Sequence, residues 1–383
     1  MKAPDVRPLG DILRVNIDAH VVTSEEVYRI AGVRGFGNGV FAREQITGGQ
    51  TSYKVLHRMA GGQFVMSRLK AFEGAIALVP DEFDGYFASP EFPTFSLREG
   101  VGEIRYVKHL FGWPAFWDML KGESKGIGAR RERVSAERLL ALQVPLPHVD
   151  EQRRIADKLD AAMEKYMSVQ TLRSHASSVR VSLQEAMVHQ ALERSIETVR
   201  MGDVVTLKRV EIDVFPEKTY QPIGMRGFGR GMIRYESTPG SQLGKLRFYK
   251  FPNSALVLSN IKAWEGAIGV TSRNEEEFIA SNRFLFYVPK DGRVNISYLR
   301  HYLLARKGLS QISACSPGAA DRNRTLGVKR FENIRFDLPP RDTQDRVAST
   351  LDGLNERLSA AHSLPTLQAL PPSLLDAAFS GRL

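Results

Sequence analysis

Cysteine is nearly missing from this chain, where Cys315 stands alone among 383 residues. One thiol excludes an internal disulfide and any zinc site built on several thiolates, and it suits a reducing compartment. Long apolar runs are missing as well. No stretch approaches the ~20 apolar residues of a membrane span, and residues 1–13 carry charges where a secretory signal would hold its apolar segment. The chain therefore reads as soluble and cytoplasmic, with no membrane partner. Acidic residues are in deficit, with 43 Asp and Glu against 53 Lys and Arg, a net charge of +10. Such an excess suggests a polyanionic partner, although ribosome-bound and membrane-surface proteins share it. Motifs for chemistry are also lacking: there is no Walker loop, no helicase acidic motif, no Pro-Pro-aromatic string after Asn or Asp, and no Gly-rich S-adenosylmethionine site.

The last absence is positional. Glycine and proline are missing from residues 150–201, while apolar or small residues recur at Ile155, Leu159, Ala162, Tyr166, Val169, Leu172, Ala176, Val179, Leu183 and Met187. Steps of four and three that alternate with few breaks make a heptad seam. Fifty residues of helix would reach ~75 Å at ~1.5 Å per residue, with no glycine cap before Gly202. A narrow apolar stripe on an isolated helix stays in water, so this helix needs a partner.

Comparing the chain with itself supplies one. VRGFGNG at Val33 returns as MRGFGRG at Met225, SRLKAFEGAIA at Ser67 as SNIKAWEGAIG at Ser259, and VPLPHVDEQRRIADKLD at Val144 as FDLPPRDTQDRVASTLD at Phe336. Each pair lies 192 positions apart, as do LGDI at Leu9 and MGDV at Met201, and SLQEAM at Ser182 and LLDAAF at Leu374. A constant offset with little net insertion argues a duplicated unit. The second seam runs Val347, Leu351, Leu354, Leu358 and Ala361, interrupted by Pro365, Pro371 and Pro372.

Within each unit, residues 10–22 and their copy from Gly202 read as a short strand. RGFGNG, residues 34–39, is answered by RGFGRG at 226–231, a tight glycine-rich loop. A nucleotide-phosphate loop, a hairpin turn with a core Phe, and a loop offering Arg34 and Arg226 to a phosphate or base edge are all open readings. The first lacks the helix it requires. Residues 63–80 and 255–272 read as hairpins with a Lys-Ala-aromatic-Glu-Gly turn. Lys70 with Glu73, and Lys262 with Glu265, form either a surface ion pair or a tip for a DNA groove. A metal-dependent nuclease would need Glu73 and Glu265 with a second converging carboxylate, which neither copy offers nearby. Helical stretches at 104–120 and 296–312 lead to basic loops bearing Arg130, Arg131 and Arg133 in one copy and Arg322, Asn323 and Arg324 in the other. Clustered Arg and Asn suit bidentate base readout and phosphate contact, against the alternative of a solvated charge run.

VPLP before DEQRRIADKLD, FDLPP before TQDRVASTLD, and the ending LLDAAFSGRL together resemble the specificity subunit of type I restriction-modification systems over essentially the full chain. The string departs at Thr343, where the family has Glu beside Gln344. The resemblance implies an α+β fold with two tandem mixed α/β target-recognition domains, at 1–149 and 201–341. Each is followed by a conserved helical region, at 150–200 and 342–383, and the two helices pair as an antiparallel coiled coil in a pseudo-two-fold repeat. Each domain would read half of a bipartite double-stranded DNA site. The chain would itself be non-catalytic and bind no cofactor. It would dock two methyltransferase subunits and, in a restriction-proficient complex, two nuclease/translocase subunits, which would carry S-adenosylmethionine, ATP and magnesium. Expected DNA contacts are Arg34, Lys70, Arg130 and Arg131 in the first domain, and Arg226, Lys262, Arg322, Asn323 and Arg324 in the second. The half-sites should be related but not identical, diverging where Asn38 becomes Arg230, Arg68 becomes Asn260 and Arg131 becomes Asn323. A stand-alone DNA-binding regulator would share the charge and the repeat.

Overall fold

The computed structural model describes residues 5–121, 133–244, 246–272, 277–318, 324–362 and 367–383. It divides into two compact units: Met1–Thr171 with Leu364–Leu383, and Leu172–Ser363.

Unit 1 opens with β1 (Val6–Pro8) and β2 (Leu13–Val15). A hairpin follows from β3 (Ala31–Val33) to β4 (Val40–Ala42), then β5 (Phe64–Met66), β6 (Ile76–Leu78) and β7 (Thr94–Leu97). Four of these strands form an antiparallel sheet in the order β6-β5-β7-β2, with Ile76 opposite Met66 and Phe95 opposite Val15. Helices α1 (Ile104–Phe111) and α2 (Pro114–Leu120) cover one face, bringing Val107, Leu110, Phe111 and Phe116 onto Phe64, Met66, Ile76 and Phe95 in a common core. The expected helix at 104–120 is thus two, because Pro114 has no N–H to continue the first and instead starts the second at its N-terminal turn. β8 (Gln143–Pro145) pairs with β1, Val6 opposite Pro145, and hands the chain to helix α3 (Val149–Glu193). The C-terminal helix, Leu370–Phe379, also belongs to unit 1, where Leu375, Ala378 and Phe379 join Ile155, Ala156 and Leu159 of α3 in the core. Pro371 and Pro372 stand in its first turn, so these residues begin a helix rather than interrupt one.

Unit 2 repeats the plan. α3 ends at Glu193 and not near 201, because the β-branched run Ile196-Glu-Thr-Val forms β9 (Glu197–Arg200). Cross-strand bonds outweigh helix propensity there. β10 (Val205–Leu207), the hairpin β11 (Ile223–Met225) to β12 (Met232–Arg234), β13 (Leu256–Ser259), β14 (Ile268–Val270) and β15 (Phe284–Pro289) follow. Their sheet order, β14-β13-β15-β10, is that of unit 1 strand for strand. Helices α4 (Ile296–Leu304) and α5 (Arg306–Ala314) cover the sheet. β16 (Arg335–Leu338) pairs with β9 in the register of the first unit, Thr198 opposite Asp337, and leads into α6 (Arg341–His362). Val188 and Ala191 of α3 share a core with Val347, Ala348 and Leu351 of α6. Met187 and Arg194 line one small cavity with Val347 and Thr343, while Arg180 donates to Asn355 Oδ1 at 3.3 Å, so the two segments run in opposite directions. Of the seam positions, Ile155, Leu159, Val347 and Leu351 are buried, Ala162, Tyr166, Leu354 and Leu358 half-buried, and Val169, Leu172, Val179 and Leu183 exposed.

A paired signature explains the helix entries. Gln152 is fully buried at the start of α3, accepting from Glu103 N at 2.9 Å and donating to Pro147 O at 2.8 Å. Gln344 repeats this on Asn295 N at 2.8 Å and Pro339 O at 2.8 Å. The amide therefore satisfies a strand-end carbonyl and an orphan N–H together, which apolar residues could not. Thr343 beside Gln344, where the first copy has Glu151 beside Gln152, leaves that arrangement intact.

Candidate nucleic-acid interface

In each unit the two glycine-containing motifs meet. The 34–39 loop closes the β3–β4 hairpin, Arg34 N donating to Gly39 O at 2.9 Å, and its tip leans on the turn after β5. Phe36 N donates to Glu73 O at 2.6 Å and Gly37 N to Gly74 O at 3.1 Å. In unit 2, Phe228 N donates to Glu265 O at 2.6 Å and Gly229 N to Gly266 O at 2.9 Å. Ala71 and Ala263, both fully buried, pin that turn, and Gly74 and Gly266 close it with φ near the left-handed region, +77° and +79°. A Cβ on Gly74 would fall 2.5 Å from the Trp117 ring, so glycine is required by space as well as by backbone.

The hairpin-turn reading is therefore the fold's, with one correction: Phe36 and Phe228 are 71% and 70% exposed and belong to no core. Both also take φ of +59°, a conformation that costs a non-glycine residue roughly 1–2 kcal/mol. The backbone bonds to the turn hold the ring outward.

Cations surround these tips. Arg34 is exposed, its guanidinium 4.9 Å from the Phe41 ring centroid, and Lys70 is exposed with Nζ 4.0 Å from Glu73. Arg226 and Lys262 occupy the same places in unit 2, Lys262 lying 3.3 Å from Glu265. There, Arg226, Phe228, Arg230, Tyr235, Lys262 and Arg283 line a cleft of about 600 Å³. Four cations against Glu265 make it strongly positive, and Phe228, Tyr235 and Phe284 give it flat apolar walls. Arg324 stacks on Trp264 at 4.5 Å and donates to Ser316 O and Ser313 O, both at 3.0 Å, so most of its guanidinium is engaged within the unit. Arg133 is bound to Glu91 at 3.1 Å. Arg130, Arg131, Arg322 and Asn323 lie outside the described residues.

Arg283 and Tyr235 escape a search for features common to both repeats. Position 91, the counterpart of Arg283, is Glu, yet both residues make the same backbone bond: Arg68 N to Glu91 O at 2.9 Å and Asn260 N to Arg283 O at 2.8 Å. The scaffold is kept while the side chain reverses sign. Glu73 and Glu265 each face a lysine, and among the described residues no three His, Cys, Asp or Glu side chains gather to hold a metal ion. No helix among them is long and apolar enough to cross a membrane.

Fold and site define a repeated α+β protein that displays cationic, aromatic-tipped loops from matching sheets. Residues 193–365 match the type I restriction modification DNA specificity domain. It is similar in fold to the HsdS subunit from Thermoanaerobacter tengcongensis, at 19% identity and a TM-score of 0.55 over 100% of this chain and 98% of that one. A chain from a structure described as the structural basis of complex assembly and conformational transition of the type I R-M system matches at 20% identity and a TM-score of 0.63 over 100% of both. The type I restriction-modification S subunit from M. genitalium matches at 13% identity and a TM-score of 0.55 over 98% of this chain and 96% of that one. No curated protein matches the chain.

Proposed function

We propose that this chain recognises a bipartite DNA site, one half through each unit, and delivers methyltransferase subunits to it. The observation that carries the reading is the composite loop found in both units, an Arg-Gly-Phe-Gly tip bonded to a Lys-Ala-aromatic-Glu-Gly turn. Arg34 and Lys70, with Arg226 and Lys262, supply salt-sensitive phosphate contact and base-edge donors. The expected contacts at Arg130, Arg131, Arg322, Asn323 and Arg324 remain part of the proposal. The 1–149 and 201–341 regions act as the reading domains, and the helices at 150–200 and 342–383 pair as an antiparallel coiled coil that sets their separation.

In this reading the chain carries no chemistry. Two methyltransferase subunits dock on it, joined in a restriction-proficient complex by two nuclease/translocase subunits, and S-adenosylmethionine, ATP and magnesium bind those partners. The half-sites are related through the shared loops and diverge where Asn38, Arg68 and Arg131 become Arg230, Asn260 and Asn323, and the change of Glu91 to Arg283 adds a further difference.

Mapping methylated bases in cells carrying the complex tests this. A split motif with two related halves is expected, and Arg283→Glu should alter only the half read by unit 2. An unsplit motif, or two unrelated halves, contradicts it.

A further inference from the structure

Phe36 and Phe228 are large apolar side chains that stay mostly exposed in their own units. They lie 192 positions apart and hold the same left-handed backbone. A loop that needed only a left-handed residue would place Gly or Asn there, as Gly37 and Gly39 already do beside Phe36. Each ring is instead kept outward by two backbone bonds to the neighbouring turn, and by different supports: Trp117 edge-on at 6.3 Å from Phe36, and the Arg230 guanidinium 5.5 Å from Phe228. Strain borne twice, for a ring that stays mostly in solvent, points to a ligand.

The surroundings say which ligand. The rings stand among Arg34 and Lys70, or among Arg226, Arg230, Lys262 and Arg283. A protruding apolar ring framed by cations complements a duplex, in which stacked apolar bases lie between phosphate rails. We propose that Phe36 and Phe228 are wedges, each entering double-stranded DNA at one base step of its half-site and unstacking it, while the adjacent Arg and Lys hold the flanking phosphates. The wedge rests on the DNA-recognition reading and adds a specificity device to it, because pyrimidine–purine steps open most readily.

The test uses the full-length chain with its methyltransferase partner and a duplex selected from a random pool, carrying 2-aminopurine at successive positions. Wild type should brighten the probe at one step in each half-site. Phe36→Ala should abolish one signal and leave the other, Phe228→Ala the reverse, each weakening binding about tenfold with an unchanged salt slope. Phe36→Gly should lose the same signal while its melting temperature stays level or rises, which separates a ligand role from a folding role. Variants that bind with the wild-type brightening pattern, or a wild type that brightens no position on a retained duplex, overturn the wedge alone. Retention of no duplex from the pool by wild type overturns DNA recognition itself and the wedge with it.

Discussion

At the scale of single residues, the units differ most where they do the same job. His109 Nε2 meets Asp160 Oδ1 at 2.7 Å, tying α1 to α3, and His301 Nε2 meets Asp352 Oδ1 at 2.8 Å, tying α4 to α6. In unit 1 the supporting cation is Arg105, 3.1 Å from Asp160; in unit 2 that position is Ser297, which bonds Asp352, and the cation is Arg300 at 2.9 Å. Arg300 corresponds to Lys108, one helical turn along from Arg105, so the charge moves three residues and still reaches the same carboxylate. Burial is the main cause that lowers both imidazoles below the ordinary histidine range, the carboxylate working against it. Asp352 is pushed up by burial yet ends below its ordinary value through hydrogen bonds from His301 and Ser297 and the charge of Arg300. Both histidines are thus neutral at pH ~7 in the folded chain. As pH falls below ~6.5 the unfolded chain takes up protons that the folded chain refuses, so stability drops with acidification. The melting temperature should fall between about pH 7 and pH 5, and His301→Gln should flatten that fall by removing its share. An identical pH profile in the variant would mean that another group controls it.

At the scale of elements, what was legible in the sequence was whatever a spacing encodes. The constant offset marked the two units as copies, and their strand order is the same in each. The β-branched runs around KAFEG and KAWEG gave the β5–β6 and β13–β14 hairpins, and the region free of Gly and Pro gave most of α3. The docking of one glycine motif on the other was illegible, since it runs through backbone N–H and C=O groups that every residue possesses. So was the outward Phe, because an aromatic in a turn reads as core until its neighbours are known. The end of α3 was missed where strand pairing competed with helix, and Arg283 was missed because its counterpart is Glu91. The docked turn makes a quantitative expectation. Gly74→Ala forces both a left-handed alanine and a contact with Trp117, a cost of ~2–4 kcal/mol. Gly266→Ala meets Leu304 and the Phe228 backbone at 3.3 Å and should cost less, about 1–2 kcal/mol. Urea midpoints of the two variants compare them, and equal losses would show that Trp117 moves aside freely.

At the scale of the whole molecule, each compact unit is completed by a helix from the other repeat. Unit 1 takes the C-terminal helix, whose Phe379 packs on Tyr106 and Trp113 at 5.3 and 5.2 Å, and past that helix Leu383 O accepts from Lys158 of α3 at 3.0 Å. Unit 2 takes the second half of α3, through Val188 and Ala191. Each repeat thus lends a helix to the unit of the other, and α3, 45 residues without a break, begins in one unit and ends in the other. If the helices act as the proposed spacer, their length is a quantity that DNA can measure. One heptad adds ~10.5 Å of helix at ~1.5 Å per residue, against ~3.4 Å per base pair. A heptad inserted after Thr171, matched by one in the 363–369 segment, should therefore lengthen the unspecified gap between the two methylated half-sites by about three base pairs and leave both half-sequences unaltered. The methylation motif of cells carrying the variant reads this directly: an unchanged gap would mean that the helices do not set the spacing, and changed half-sequences would mean that they also shape the reading loops.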